Sequence, residues 1–480
     1  MTAVVQRCGD EARRRLVRRA IAAVLLLLLT PSAAVGAAPW SAPLGIGSPA
    51  FGVESPAVAF DASGGALLAW STWPGSVIGP TTAATGHLAA WPPGGVPRER
   101  AALDAIAAPP QAVGDGRFVV LRERLLRPTR DQRRRVRLGV SIATLAGRLG
   151  PVREVGRFVT ANAQAIAVSR RGAIAVAWVE THGRFRDRYR LRLRVGQVGG
   201  RFGPPRALGD LGAIEHPGIT SVALAWGRGG ELVVAYPRTR PVRGRSVRAV
   251  EVLAGRPDRR LRRHALGPRE GITDVEAAAS PSGRVVVAWG SQDGGEEPNR
   301  PFVVRAAIRE PGRRRFTAAR ILDPGGGIQE RPVGRLAVAL AGDGTGYAAW
   351  SAVRSGRRPF THPVLAATAP PGAPFGAPEQ LDTDGAVGGL AARADGRAFV
   401  TWTLQPLGRR VLAALREPGA MRFAAAEEVA PADAASAPSP AFSPRTGEPV
   451  VVWVDRPGFQ VPASAGTLAP AVLYAAARAP

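Results

Sequence analysis

Ser282-Gly283-Arg284-Val285-Val286-Val287-Ala288-Trp289 reads as a tight turn followed by a strand. A Ser-Gly pair suits a hairpin turn. After Arg284, side chains alternate: Val285, Val287 and Trp289 point one way, Val286 and Ala288 the other. Both faces are apolar, so the strand is expected to be covered on both sides. The same spacing of glycine to aromatic recurs as Gly64–Trp70, Gly172–Trp178, Gly230–Tyr236, Gly344–Trp350, Gly396–Trp402 and Gly447–Trp453. In the second copy, Gly116 is followed by Arg122 where the aromatic would stand. Successive positions are about 51 to 61 residues apart, a period typical of propeller repeats.

A second motif follows in most copies, an aromatic or Leu with an aliphatic residue six positions on: Leu149–Val155, Phe202–Leu208, Phe316–Leu322, Phe375–Leu381 and Phe423–Val429. It often carries proline, as in Phe202-Gly203-Pro204-Pro205, which suits an outer edge strand. Between the motifs lies a further strand, such as Tyr189 to Val195 or Phe302 to Ile308. Each repeat therefore reads as four antiparallel strands. The last copy ends after its third strand, Val472 to Ala477, and Trp40-Ser41-Ala42-Pro43-Leu44-Gly45-Ile46 is an orphan copy of the fourth. The expectation is an all-β, closed β-propeller of about eight four-stranded blades, or seven if the second repeat is degenerate. Its repeats fall near 55–104, 108–158, 160–212, 216–268, 271–323, 330–382, 385–432 and 436–480, with 40–46 as the closing strand.

Residues 1–37 read as a signal peptide, leaving 38–480 as one propeller domain. Arg13 to Arg15, Arg18 and Arg19 precede the apolar run Ala20 to Leu29, and small residues follow at Val35-Gly36-Ala37. The run is short for a membrane span, and the expected location is secreted or at the cell envelope. Cys8 is the single cysteine and lies before the apolar run. A mature chain without it has no disulfide, thiolate metal site or cysteine nucleophile. Hydrophobic residues make up 45% of the chain, and 58 Gly and 44 Pro residues suit many short strands joined by turns. The net charge is +27, with arginine supplying all 64 basic residues. Such a charge favours anionic partners.

The Asp-box of bacterial neuraminidase repeats reads Ser-x-Asp-x-Gly-x-Thr-Trp. Asp61-Ala62-Ser63-Gly64-Gly65 and Ala341-Gly342-Asp343-Gly344-Thr345 match parts of it. With the Gly–aromatic repeat, these stretches resemble exported bacterial propellers of the sialidase-like and WD40-like superfamilies. The resemblance covers Trp40 to Pro480 and implies either a binding propeller or a glycan-cleaving enzyme.

A two-carboxylate glycosidase needs convergent acids. Asp274 and Glu276, placed just before the first strand of repeat five and two residues apart, are the candidates. Glu54, Glu215 and Glu330 occupy similar positions. His87, His182, His216, His264 and His362 fall in separate repeats without metal-ligand spacing. No phosphate-binding loop or dinucleotide fingerprint occurs, so no cofactor is expected. Between second and third strands, basic runs recur: Arg133, Arg134 and Arg135; Arg184, Arg186 and Arg188; Arg238, Arg243 and Arg245. Equivalent loops project from one face, so these form an expected basic sector for carboxylate, sulfate or phosphate groups. Arg256, Arg259, Arg260, Arg262, Arg263 and Arg313 to Arg315 fall around third-to-fourth-strand turns, on the expected opposite face. The expected function is a non-enzymatic binding or scaffold protein engaging an anionic glycan, wall polymer or protein partner; the alternative is a glycan-cleaving hydrolase or lyase. Nucleic acid is disfavoured, because aromatics do not interleave with the basic runs.

Overall fold

The computed structural model describes residues 40–50, 54–72, 84–126, 135–159, 163–182, 188–213, 221–242, 245–267, 271–292, 302–324, 336–352, 361–404, 408–456 and 471–478. Residues 1–39, with Cys8, and Glu215, Glu330 and His216 lie outside them. Among the described residues, apart from a 3-10 turn at Arg228–Gly230, the elements are strands, in six four-stranded antiparallel sheets and one of eight strands. Among the described residues no helix is long and apolar enough to cross a membrane.

Repeat five shows how the pattern becomes a sheet. Its strands are Gly271–Ala279, Val285–Gln292, Phe302–Arg309 and Arg320–Asp323, paired in that order. Val285, Val287 and Trp289 pack with Val233, Ala235, Val250 and Val252 of repeat four. The alternate residues Val286 and Ala288 pack with Ala348, Trp350 and Ala367 of repeat six. Each second strand is thus a two-faced core element between neighbouring sheets, which is β-propeller architecture. Trp70, Trp178, Tyr236, Trp289, Trp350, Trp402 and Trp453 are all buried. Two of these indoles also join neighbours: Trp350 Nε1 donates to Asp323 of repeat five at 3.0 Å, and Trp402 Nε1 donates to Asp382 of repeat six at 2.8 Å.

First strands of consecutive repeats lie against one another from Glu54–Phe60 through to Ser436–Phe442, and that last one also touches Glu54–Phe60. Leu44–Ala50 pairs antiparallel with Ala471–Ala477, placing Leu44 opposite Ala475 and Ile46 opposite Leu473. The prolines expected in outer strands instead precede them, since the fourth strand of repeat three is Arg206–Ala213.

Repeats one and two share the eight-stranded sheet. The first strand of repeat two, Gln111–Gly114, pairs only with the Arg117–Val119 part of its neighbour. Ala105 and Ile106 of repeat one pair with Glu123 and Arg122 further along that neighbour. Arg122, at the missing aromatic position, is held by Asp104 and Ser141, each at 3.2 Å. Asp61, in the first partial Asp-box, is 1% exposed. It accepts from Gly65 N at 2.9 Å and from Gly116 N of repeat two at 2.8 Å, acting as a turn and inter-repeat tie.

Arginines fasten other repeats together. Arg284 is 1% exposed. It donates to Glu310 at 2.9 and 3.1 Å and to the carbonyls of Gly344, Ala369 and Ala373 in repeat six at 2.6 to 2.8 Å. A buried cation with this many acceptors is stable only because its donors are matched.

Candidate functional site

Two residues that follow turn glycines reach the end of the third strand in the next repeat: Arg284 donates to Ala369 O, and Glu231 meets Arg309. Between repeats four and five this meeting is an ion pair: Arg309 donates to both oxygens of Glu231 at 2.8 and 2.5 Å. The chain then turns through Glu310-Pro311-Gly312-Arg313, where Arg313 N donates to Glu310 O at 3.0 Å. Gly312 has φ +75°, and with proline before it this is a type II turn. In repeat four, Arg256-Pro257-Asp258-Arg259 closes in the same place, with Arg259 N donating to Arg256 O at 3.0 Å. These turns bring Arg256, Arg259, Arg260, Arg262 and Arg263 to face Arg313, Arg314 and Arg315 across a groove.

The groove comprises two adjoining cavities of about 1000 and 500 Å³, which share Arg260, Arg262, His264 and Arg314. Arg256 is paired with Asp258 at 3.0 Å. Arg206 donates to the carbonyl of Pro257, and Arg263 reaches Glu251 at 3.4 Å. The side chains of Arg259, Arg260, Arg262, Arg313, Arg314 and Arg315 are exposed and have no hydrogen-bond or ion-pair partner among the described residues. The acid in the cavity walls, Glu231, is already held by Arg309. Unpaired guanidinium forks on two walls make a strongly positive groove with planar donors for carboxylate, sulfate or phosphate oxygens.

His264 lies at the junction of the two cavities, edge-on to Phe316 at 5.5 Å. Burial, and then the nearby cations Arg309 and Arg262, hold its pKa below the ordinary imidazole value. His87 and His362 are engaged elsewhere: His87 by Thr72 at 2.8 Å and Glu99 at 2.7 Å, and His362 by Asp384 at 2.8 Å. Among the described residues no group of three or more His, Cys, Asp or Glu could hold a metal ion.

The residues singled out in the sequence fall elsewhere. Arg133, Arg134, Arg184, Arg186 and Arg243 lie outside the described residues. Arg135, Arg188 and Arg245 begin third strands, at the end opposite the groove. Arg238 is committed within the sheet, since it holds the buried carboxylate of Glu251 at 2.9 and 3.1 Å. Tyr236 donates to the same carboxylate at 2.7 Å, and its pKa is raised, chiefly by burial. Asp274 and Glu276 lie inside the first strand of repeat five, not before it. They flank the fully buried Val275 and are themselves half-buried, each with interactions of its own. Neither lines the groove. The groove arginines were visible as runs around third-to-fourth-strand turns. Their convergence on His264 was not, because it joins residues about fifty apart in the chain.

No protein-family model matches the chain, and no curated protein does. Solved structures give likenesses. The chain is similar to the polysaccharide lyase Uly1 at 11% identity, over 78% of this chain and 91% of that one, with a TM-score of 0.47. It is similar to an ulvan lyase of polysaccharide lyase family PL25 at 12% identity, over 79% and 95%, with a TM-score of 0.43. It is also similar to the β-propeller domain of the Trilobed protease from Pyrococcus furiosus at 10% identity, over 82% and 96%, with a TM-score of 0.40. Likenesses this distant say nothing about activity.

Proposed function

We propose that the chain is an exported, closed, eight-bladed propeller that acts at the cell envelope by binding an anionic glycan along the groove between repeats four and five. The observation that carries the binding role is the set of six guanidinium groups on the two walls that have no partner among the described residues. Exposed like charges repel one another, and a polyanion laid between them relieves that repulsion while accepting charge-assisted hydrogen bonds. The pairing of Leu44–Ala50 with Ala471–Ala477, and the unbroken series of first-strand contacts, support closure and a count of eight. The basic, apolar and small-residue segments of the leader support export.

A lyase is the second reading, favoured by one observation: His264 stands at the junction of the cavities beside Arg262 and Arg309, where burial and then those cations lower its pKa and favour the neutral imidazole. Guanidinium groups can neutralise a uronate carboxylate while a neutral imidazole takes the proton on the adjacent carbon. The electron pair of that C–H bond then forms a C=C bond, and the glycosidic oxygen leaves from the next carbon and takes up a proton. A two-carboxylate hydrolase is less well served, because Glu231 is held by Arg309.

One experiment separates the readings. Polygalacturonate, a sulfated glycan and a neutral glucan are titrated with the full protein at low and high salt, while ultraviolet absorbance of an unsaturated uronide is followed in the same wells. Salt-sensitive binding of the anionic glycans without product supports the binding role. Product formation lost in His264→Ala makes the protein a lyase, and anionic-glycan binding that neither high salt nor Arg260→Ala with Arg314→Ala weakens sinks both.

A further inference from the structure

A second cavity, of about 970 Å³, lies between repeats six and seven at the same place in the repeat. One wall is formed by Arg416 and Gly419 to Phe423, within the stretch Arg416-Glu417-Pro418-Gly419-Ala420-Met421-Arg422-Phe423. It matches Arg309-Glu310-Pro311-Gly312-Arg313-Arg314-Arg315-Phe316 at every position except two, where Ala420 and Met421 replace Arg313 and Arg314. The turn is the same, with Ala420 N donating to Glu417 O at 3.1 Å and Gly419 at φ +72°.

The lining is different in kind. Asp343, Glu379, Arg416 and Arg422 all border the cavity, two of each sign. None of the four forms an ion pair among the described residues. Glu379 accepts from Phe423 N at 3.3 Å on each oxygen, and Asp343 accepts from Thr345 N at 2.8 Å and its hydroxyl at 2.9 Å. Arg416 is 8% exposed. Its Nη1 donates to the Tyr347 hydroxyl at 2.8 Å, its guanidinium lies 5.3 Å above that ring, and its Nε is without a partner. Each charge therefore keeps unused hydrogen-bonding capacity, because a carboxylate offers about four acceptor sites and a guanidinium five donors.

A simple anion entering here meets two carboxylates, and a simple cation meets two guanidinium groups. A neutral molecule with adjacent hydroxyls avoids both penalties, since each hydroxyl can donate to a carboxylate and accept from a guanidinium. Pro370, Pro371, Pro378 and Met421 supply an apolar surface for carbon-bound hydrogens. Met421 is 92% exposed, a large apolar side chain left in solvent at the cavity rim, and methionine adapts readily to irregular surfaces. The volume is that of an ordinary ligand site.

We propose that this cavity binds a neutral saccharide through hydroxyl groups shared between Glu379, Asp343, Arg416 and Arg422. It is independent of the anionic groove, and the two sites are told apart by salt. The full protein is titrated calorimetrically with cellohexaose, xylohexaose and mannohexaose at low and high salt. At least one is expected to bind with an affinity that salt does not change. Glu379→Ala is expected to weaken it tenfold or more, and Ala426→Trp, an exposed site on the rim, to block it without disturbing the core. Arg313→Ala should leave it untouched. Failure of all three sugars to bind the folded protein overturns the proposal, as does binding that survives both Glu379→Ala and Ala426→Trp. Binding of glycylglycine in place of the sugars would identify a zwitterion site and overturn it equally.

Discussion

The grooves between repeats four and five and between repeats six and seven are built on one turn, Arg-Glu-Pro-Gly followed three residues later by Arg and then Phe. In both, the leading arginine is almost fully buried and lies over an aromatic ring: Arg309 over Phe316 at 5.6 Å, Arg416 over Tyr347 at 5.3 Å. They differ in what that arginine meets across the seam and in two rim residues. Arg309 is neutralised by Glu231, and Arg313 and Arg314 then add unmatched charge. Arg416 meets a hydroxyl, and Ala420 and Met421 add none, leaving Glu379 and Asp343 to balance Arg416 and Arg422. The backbone thus sets a cavity of fixed location, while a few side chains on its rim set its electrostatic class. Function in a repeat fold is carried by such local departures from the repeat.

The seam between these two grooves, joining repeats five and six, is held by Arg284, and the largest effect is expected there. Arg284→Ala leaves Glu310 and three carbonyls without their donor. It should lower stability by roughly 3–5 kcal/mol, read as a shift of the denaturant midpoint. A loss below about 1 kcal/mol would mean that the seam is held by its apolar contacts and the Trp350–Asp323 hydrogen bond instead.

The comparison itself can be broken by exchange. Arg313→Ala with Arg314→Met gives the four/five groove the rim of its counterpart and should weaken polygalacturonate binding roughly tenfold, with a shallower salt dependence. The reciprocal Ala420→Arg with Met421→Arg should raise polyanion affinity by about threefold, less because Glu379 and Asp343 stay in place. If neither exchange moves the affinity, charge on the rim does not distinguish the grooves.

Acidity sharpens the contrast further. Since the folded pKa of His264 is depressed, the unfolded chain binds the extra proton first as pH falls. Stability contributed by neutral His264 is therefore lost as pH falls through the ordinary imidazole range. A bound polyanion favours the imidazolium, so its affinity should rise a few-fold over that interval, and His264→Gln should flatten the rise. Glu379 behaves in the opposite sense. Burial raises its pKa above the ordinary carboxylate value, so the folded state holds the proton longer. Stability should fall slightly as pH rises through the acid range, and Glu379→Gln should remove that slope in thermal melts. This is the smallest of the expected effects, because the carboxylate is only half-buried.

The strand pattern was legible because it is local. Alternation along Val285 to Trp289 dictates two apolar faces whatever lies beyond them, and those faces do pack against repeats four and six. The orphan stretch Trp40 to Ile46 could be matched to a missing strand for the same reason, and Leu44–Ala50 pairs with Ala471–Ala477. Arg122 was visible as a departure from the pattern. Its answer was not, since Asp104 and Ser141 are brought to it by pairing between strands.

The candidate site was legible only in part. Both Arg-Glu-Pro-Gly turns stand in the sequence at 309 and 416, yet a search weighted toward arginine runs in second-to-third-strand loops passes over them. Composition and periodicity alone determined an all-β repeat with a basic surface, because strand periodicity and charge are properties of neighbouring residues. Only the tertiary structure decided which arginines stay free. Arg238 and Arg309 were drawn to Glu251 and Glu231, whereas Arg260, Arg262 and Arg314 were brought together around His264 with no ion-pair partner among the described residues. Pairing of charges depends on distances across the seam between repeats, and no reading along the chain contains those distances.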